Sequence, residues 1–223
     1  MSDVLISLKA VTKSFRAGTV ETLALDGLNL EIKRGEFVAV MGPSGCGKST
    51  LLNILGLLDV PTSGNYILNG REVGGHSERH LTALRKGTIG FVFQNFNLID
   101  ELTVYENVEL PLLYLGAGPK ERRSRVEGVL GRLAMLQRRN HFPRQLSGGQ
   151  QQRVAICRAL VTDPALILAD EPTGNLDSAN GREVMGLLSD MRTTGATVVM
   201  VTHSEQDAMH ADRIIRLLDG RLA

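Results

Sequence analysis

The chain has 223 residues, enough for one domain with a sizeable core, and its 43% hydrophobic and 22% charged residues are ordinary for a globular protein. Lys and Arg number 25 against 24 Asp and Glu, and a net charge of +1 gives no footing for a nucleic-acid partner. Cys46 and Cys157 lie far apart with no Cys/His cluster beside them, which argues against a disulfide framework or a zinc site and fits a reducing cytoplasm.

The opening Met1-Ser2-Asp3-Val4-Leu5-Ile6 lacks the basic region and apolar stretch of a signal peptide. No window approaches the roughly 18–20 apolar residues that span a bilayer, so the chain is not expected to cross a membrane by itself. Up to about position 35, apolar and polar residues alternate (Leu5, Ser7, Lys9, Val11; Leu28, Leu30, Ile32), which predicts half-exposed antiparallel strands. The runs Phe37–Met41, Ile89–Phe93, Leu166–Ala169 and Thr197–Val201 are continuously apolar and predict short strands buried on both faces. Helical patterns follow several of them, over Lys48–Leu57, Ser178–Arg192 and Glu205–Ala211. Ile214–Leu218 predicts one further strand, ending at the turn Asp219-Gly220. Strands alternating with helices imply a parallel α/β sheet. From about Asn95 to Thr162 strand character is scarce, and two amphipathic helices are predicted, over Pro119–Leu136 and Gly148–Val161. The single domain is therefore divided into an α/β core with its antiparallel region (about 1–94 and 163–223) and an inserted helical lobe (about 95–162).

Gly42-Pro43-Ser44-Gly45-Cys46-Gly47-Lys48-Ser49 has the form G-x-x-x-x-G-K-[ST], between a buried strand and a helix opening near Thr50. Its glycines let backbone N–H groups turn inward around phosphates. Lys48 is placed to bridge β- and γ-phosphates, and the Ser49 hydroxyl to ligate Mg2+. Asp170 and Glu171 emerge where the Leu166–Ala169 strand ends, Asp170 suited to hold Mg2+ through water and Glu171 to polarise an attacking water as general base. Gln94 and His203 each follow a buried strand, so the first can reach the metal and the water and the second the γ-phosphate. Phe15 is a candidate for stacking on adenine. His76, His80, His141 and His210 have no such placement and read as ordinary surface or core residues. Leu146-Ser147-Gly148-Gly149-Gln150 opens a helix with free N–H groups and a positive dipole end, an anion site with no anion of its own beside the phosphate loop.

The phosphate loop, Gln94, Leu146–Gln150, Leu166–Glu171, Asn175-Leu176-Asp177 and His203 occur in the order found in ATP-binding cassette (ABC) ATPases, and the chain resembles that family from about Phe15 to His203. Phe91–Ile99, Asn107–Leu112 and Ala169–Ser178 look like the subfamily of lipoprotein-release and macrolide- or peptide-export ATPases (LolD/MacB-type). Phe15 stands where Tyr is frequent, and Cys157 where Ala is usual in the helix after the signature motif.

The resemblance implies a P-loop NTPase fold of the ABC-ATPase type, with a RecA-like parallel core, an N-terminal antiparallel β region and an inserted helical subdomain. It implies ATP and Mg2+ as ligands and a head-to-tail homodimer with two ATP molecules between subunits. Ser147–Gln150 would cap the nucleotide held by the other copy, and Asp177 would approach the partner's phosphate loop and couple the two sites. It further implies an integral membrane permease as partner, contacted through Phe96–Tyr105 with Leu98, Ile99 and Leu102 as apolar anchors, and a place on the cytoplasmic face of the membrane. Ala223 closely follows the last expected strand, which suits either a free subunit or the ATPase part of a longer polypeptide. An envelope complex that transmits motion without transport stays open as the alternative. A soluble ABC ATPase acting on nucleic acid or ribosomes is disfavoured by the single cassette and the absence of sustained heptads, zinc cysteines or basic excess, and a small-molecule P-loop kinase leaves Leu146–Gln150 and His203 unexplained. Inside the phosphate loop and at a helix N-terminus, Cys46 is expected to be a comparatively reactive thiol that ATP protects.

Overall fold

A computed structural model describes residues 3–18, 20–74, 77–191 and 195–223. The strands are β1 (Val4–Ala17), β2 (Val20–Lys33), β3 (Phe37–Met41), β4 (Ser63–Leu68), β5 (Arg71–Glu72), β6 (Ile89–Phe93), β7 (Leu166–Asp170), β8 (Thr197–Val201), β9 (Arg213–Leu218) and β10 (Arg221–Leu222). The helices are α1 (Lys48–Leu55), α2 (Glu78–Arg85), α3 (Val104–Tyr114), α4 (Pro119–Arg132), α5 (Gly148–Leu160), α6 (Ser178–Asp190) and α7 (Glu205–Ala208). His76 and the predicted helix end at Arg192 lie outside the described residues.

The central sheet has the order β10-β9-β3-β8-β7-β6, parallel from β9 to β6. Strands β3, β6, β7 and β8 are almost entirely apolar because both faces are covered, whereas β9 carries Arg213 and Arg216 at exposed positions. Phe37, Ala39, Ile167, Ala169, Val198 and Met200 face a core shared with α3 to α6. Val38, Val40, Leu166, Leu168, Val199 and Val201 face the opposite core, filled by α1 and the N-terminal sheet. That second sheet is antiparallel, order β2-β1-β4-β5. Val104, Val126 and Val154 of the helical region belong to the same cluster as Phe37 and Ile167 of the sheet, so the helices extend the central core.

The simple alternation expected of β1 does not hold. Leu5 and Ile6 are adjacent in sequence and both fully buried, and register shifts interrupt the pairing with β2 between Leu8 and Val11, where Ala10 takes a φ of 49°. Bulges reset which side of a strand faces the core. Three helices stop earlier than their periodicity predicts. Gly56 caps α1 and Leu57 turns left-handed, Ala134 (φ 55°) divides the predicted Pro119–Leu136 helix into α4 and a short 3-10 turn at Leu136–Arg138, and α7 closes at Ala208. In each case backbone geometry ends the helix where side-chain spacing alone would continue it.

The sequence reading lacks β4, β5, α2, α3 and β10. α3 carries Pro111 in its last turns, a residue that normally argues against a helix. Its start is nevertheless well specified, since Thr103 Oγ1 accepts from Glu106 N–H at 3.2 Å and Glu106 Oε2 accepts from Thr103 N–H at 2.8 Å. Hydrogen bonds from the Thr103 N–H, and from the Thr103 hydroxyl at 2.7 Å, hold the Glu106 carboxylate below its ordinary pKa. Asn107, 1% exposed, organises the preceding loop by accepting from Ile99 N–H and donating to the carbonyls of Ile99, Leu102 and Thr103.

Candidate nucleotide site

The candidate residues gather at the C-terminal ends of neighbouring parallel strands, where open α/β sheets bind ligands. β3 leads into the phosphate loop, β6 into Gln94, β7 into Asp170 and Glu171, and β8 into His203. Registry joins them: Val40 pairs with Val201, Val201 with Asp170, and Asp170 with Phe93.

Two loop glycines answer steric demands. A Cβ on Gly42 would lie 2.1 Å from the Leu217 carbonyl oxygen, and one on Gly47 (φ 105°) would lie 2.4 Å from that of Ala24. The loop is thus wedged between β9 and β2 with its Pro43-Ser44-Gly45 crest exposed. Lys48 Nζ donates to the carbonyls of Gly42 and Pro43 at 2.8 Å each, so the ammonium lies along the loop before α1. Ser49 is exposed and Thr50 half-buried in the first turn of α1. Cys46 departs from expectation. It is 3% exposed and belongs to the core under the loop, so burial shields the thiol that its place at a helix N-terminus made a candidate for reactivity.

Glu171 takes a left-handed φ of 44° and its N–H donates to Val201 O at 2.9 Å. The Glu171 carbonyl accepts from Gly174 N–H at 3.0 Å, closing a turn with Pro172 next in line, and Thr173 Oγ1 donates to Asp207 Oδ2 at 2.6 Å. His203 Nδ1 lies 3.2 Å from Glu171 Oε1. Asp170 has its pKa raised, first by burial and then by the Glu171 carboxylate, with Lys48 opposing. A half-buried carboxylate under that strain favours a cation beside it. Among the described residues no cluster of three or more His, Cys, Asp or Glu side chains gathers. This donor set fits Mg2+, which keeps waters and phosphate oxygens in its shell, better than an ion caged by protein alone.

Gln94 faces the turn after β7. Its Nε2 would be 2.6 Å from a Cβ on Gly174, and the Asn175 amide donates to Gln94 O at 3.1 Å and Asn95 Oδ1 at 2.8 Å. Phe15 is 47% exposed, with Lys13 Nζ 4.9 Å from its ring centroid. Pairing of Phe15 with Thr22 and of Lys13 with Leu25 sets it on the hairpin that touches Gly47.

Leu146–Gln150 lies elsewhere. Ser147 caps α5, accepting from Gln150 N–H at 3.3 Å, while Gln150 Oε1 accepts from Ser147 N–H at 3.1 Å. The capping box leaves the Gly148 and Gly149 N–H groups of the first turn outside it. A Cβ on Gly149 would lie 2.1 Å from Asn180 Oδ1, so glycine here admits α6. Gly148 neighbours Leu176 and Phe96, and neither glycine shares a neighbour with the phosphate loop. Asp177 caps α6, accepting from Ala179 N–H and Asn180 N–H at 3.0 and 2.9 Å and from Asn180 Nδ2 at 2.6 Å. Those hydrogen bonds, above all from Asn180, hold its pKa below the ordinary value.

Of the predicted apolar anchors, Leu98 packs against the core and Leu102 is half-buried, while Ile99 is 40% exposed. A larger apolar groove of about 620 Å³ opens beside them between α2, β6, α3 and α5, lined by Leu58, Phe93, Asn97, Pro111, Tyr114 and Leu115 among others. Cys157 sits in α5 with its Sγ 3.7 Å from Val129 O, and burial pushes its thiol up to about 12. Sequence reading also left Arg158 and Gln152 without roles. Arg158 donates from Nη2 to Phe96 O at 2.9 Å and from Nη1 to Asn97 O, bracing two successive left-handed residues (φ 60° and 49°) just after Gln94.

Fold and site define a phosphate-loop nucleotide-binding cassette. The family model of the ABC transporter matches residues 25–174. The chain is 47% identical over 222 residues to the macrolide export ATP-binding/permease protein MacB of Hyphomonas neptunium, covering 100% of this chain and 34% of that protein. It is 49% identical over 218 residues to the ABC transporter ATP-binding protein MJ1508 of Methanocaldococcus jannaschii, covering 98% and 97%. A dimeric structure of the ATP-binding cassette MJ0796, in a post-hydrolysis state bound to ADP and Pi, superposes with a TM-score of 0.89 at 48% identity, covering 97% and 96%. The chain belongs to the ABC transporter family, and its relatives place it with the LolD/MacB-type ATPases. It spans about a third of the length of the MacB proteins it matches.

Proposed function

We propose that the chain binds Mg-ATP at the Gly42–Ser49 loop and hydrolyses it as one of two head-to-tail copies, each completing the other's site. The observation that carries this is the separation of two glycine-rich helix starts. One opens α1 beside Asp170, Glu171 and His203, while the other opens α5 among Leu176, Phe96 and Asn180. A second helix N-terminus away from the first suits the γ-phosphate of another copy. The dimeric ADP- and Pi-bound MJ0796 structure supports the arrangement.

Lys48 would turn from the Gly42 and Pro43 carbonyls to the β- and γ-phosphates. Ser49, Asp170 and the Gln94 amide would hold Mg2+, which when bound neutralises phosphate oxygens. Glu171 would accept the proton of the attacking water and His203 would donate to the γ-phosphate, the two being already adjacent. Phe15 would stack on the base. Ser147, Gly148 and Gly149 of the other copy would close the site, and their hold on the γ-phosphate lapses on hydrolysis, so opening follows turnover. Asp177, at the start of α6, would face the partner's loop.

The cycle would drive a membrane permease of the macrolide-, peptide- or lipoprotein-export type, docked on the helical lobe with the chain on the cytoplasmic face. The groove beside Tyr114 and Leu115, 66% and 41% exposed, is the apolar surface suited to it. No helix among the described residues is long and apolar enough to cross a membrane. The permease would be a separate subunit or a fused transmembrane domain. Ser147→Arg tests the shared site. It is expected to keep ATP binding, read with a fluorescent ATP analogue, and to lose turnover; turnover at the wild-type rate would refute the shared site.

A further inference from the structure

Gln152 occupies the buried stripe of α5 with Gly149, Ile156 and Ala159, and it is completely buried. Its Nε2 donates to the carbonyl of Pro172 at 2.5 Å, while its Oε1 has no hydrogen-bond partner among the described residues. A buried amide with one end unmatched is a net cost to folding, which an apolar side chain of similar size would avoid. The donor end therefore has a use at its target, and that target is unusual.

Pro172 directly follows Glu171, whose left-handed backbone has no glycine to ease it. Three contacts over-determine the turn. Gly174 N–H closes it onto the Glu171 carbonyl, Asp207 holds the Thr173 hydroxyl from the α7 side, and Gln152 holds the Pro172 carbonyl from the α5 side. Removing the last would leave the Pro172–Thr173 peptide held only through Thr173 and Gly174, with more room to tilt, and the Glu171 carboxylate would lose part of its fixed direction toward His203. A base displaced by a fraction of an ångström loses rate, whereas nucleotide held at the loop keeps its contacts.

We propose that Gln152 is a positioning residue for hydrolysis, acting through Pro172 on the orientation of Glu171. Resting on the shared-site reading, this deepens it. The helix that offers Ser147–Gly149 to the partner's ATP also steadies, one turn later, the base that serves its own chain's ATP. The sequence alone makes Gln152 look like an extension of Gln150-Gln151; the structure turns it into the interior and onto the other half of the machinery.

The test uses Gln152→Met, which keeps size and removes the donor, with Gln152→Leu as a second variant. Loss of one oriented hydrogen bond predicts a fall in kcat of about tenfold with KM for ATP within about twofold of wild type. The decisive measurement mixes Q152M chains with S147R chains. Each variant alone is deficient, but their mixed dimer contains one site with an intact Glu171 from one chain and an intact signature turn from the other. Equal mixing should therefore restore about a quarter of the wild-type rate, since about half the dimers are mixed and each has one good site. If Gln152 merely supported its own signature turn, both variants would damage the same function and no activity would return.

Mixing His203→Ala with Ser147→Arg is the reference. Recovery there without recovery for Q152M overturns the inference and leaves the shared-site reading standing. Failure of both pairs overturns the shared site, and this inference with it. Turnover of Q152M within about twofold of wild type also overturns the inference, since the donor would then have no catalytic use. Should either variant be less stable, rates are taken below its melting midpoint and normalised to the ATP-binding fraction.

Discussion

Asp177 shows how much a single carboxylate can settle. Both of its oxygens receive hydrogen bonds from the first turn of α6, and its acidity is strengthened accordingly. A carboxylate with a depressed folded-state pKa contributes stability above its unfolded pKa and loses that contribution as pH falls through the folded value. Asp177→Ala is thus expected to lower the melting temperature at neutral pH, with a deficit that shrinks in acid below the ordinary carboxylate range. A deficit unchanged into strong acid would show that the cap is not electrostatic. Asp170 behaves in the opposite sense, its pKa raised by burial and by Glu171, so that ionising it opposes folding and favours a bound cation. The two acids in one stretch of chain divide their work, one steadying a helix and the other waiting for charge.

At the scale of elements, α5 joins most of the functional parts. Gly149 admits Asn180 of α6, Gln152 reaches the turn after β7, and Arg158 braces Phe96 and Asn97. Gly149→Ala is predicted to lower the melting temperature, because the new Cβ would collide with the Asn180 side chain. Asn180→Ala in the same chain should recover part of the loss. Equal destabilisation with and without Asn180 would place the cause in the helix itself. The four central strands and the phosphate loop were legible from sequence, because double burial leaves unbroken apolar runs and glycine spacing is tied to steric demands at Gly42 and Gly47. α3 was hidden by Pro111, whereas β1 was legible as an antiparallel strand and only its burial alternation failed, at the bulge near Ala10. Gln152 was hidden differently. A polar residue on a buried helical stripe was visible in principle, but its partner at Pro172 is fixed only by the packing of α5 against the sheet.

On the scale of the whole molecule, one core runs from the helical region into the parallel sheet, while a groove of about 620 Å³ lies open between them. Charge at Tyr114 or Leu115 on that groove, as Tyr114→Glu or Leu115→Asp, is expected to abolish co-purification with the proposed permease while leaving the melting temperature of the chain unchanged. Retained co-purification would move the docking surface elsewhere, with Ile99 the remaining exposed anchor of the segment after Gln94. In the proposed dimer the two copies meet at the γ-phosphate, between the loop before α1 of one and the turn before α5 of the other. Glu171→Gln tests that arrangement most directly, since it keeps the shape of the side chain and removes the proposed base. Gel filtration with saturating Mg-ATP should show this variant as a stable dimer that reverts to monomer when nucleotide is withdrawn. A folded variant that binds ATP and still elutes as a monomer would contradict the shared site.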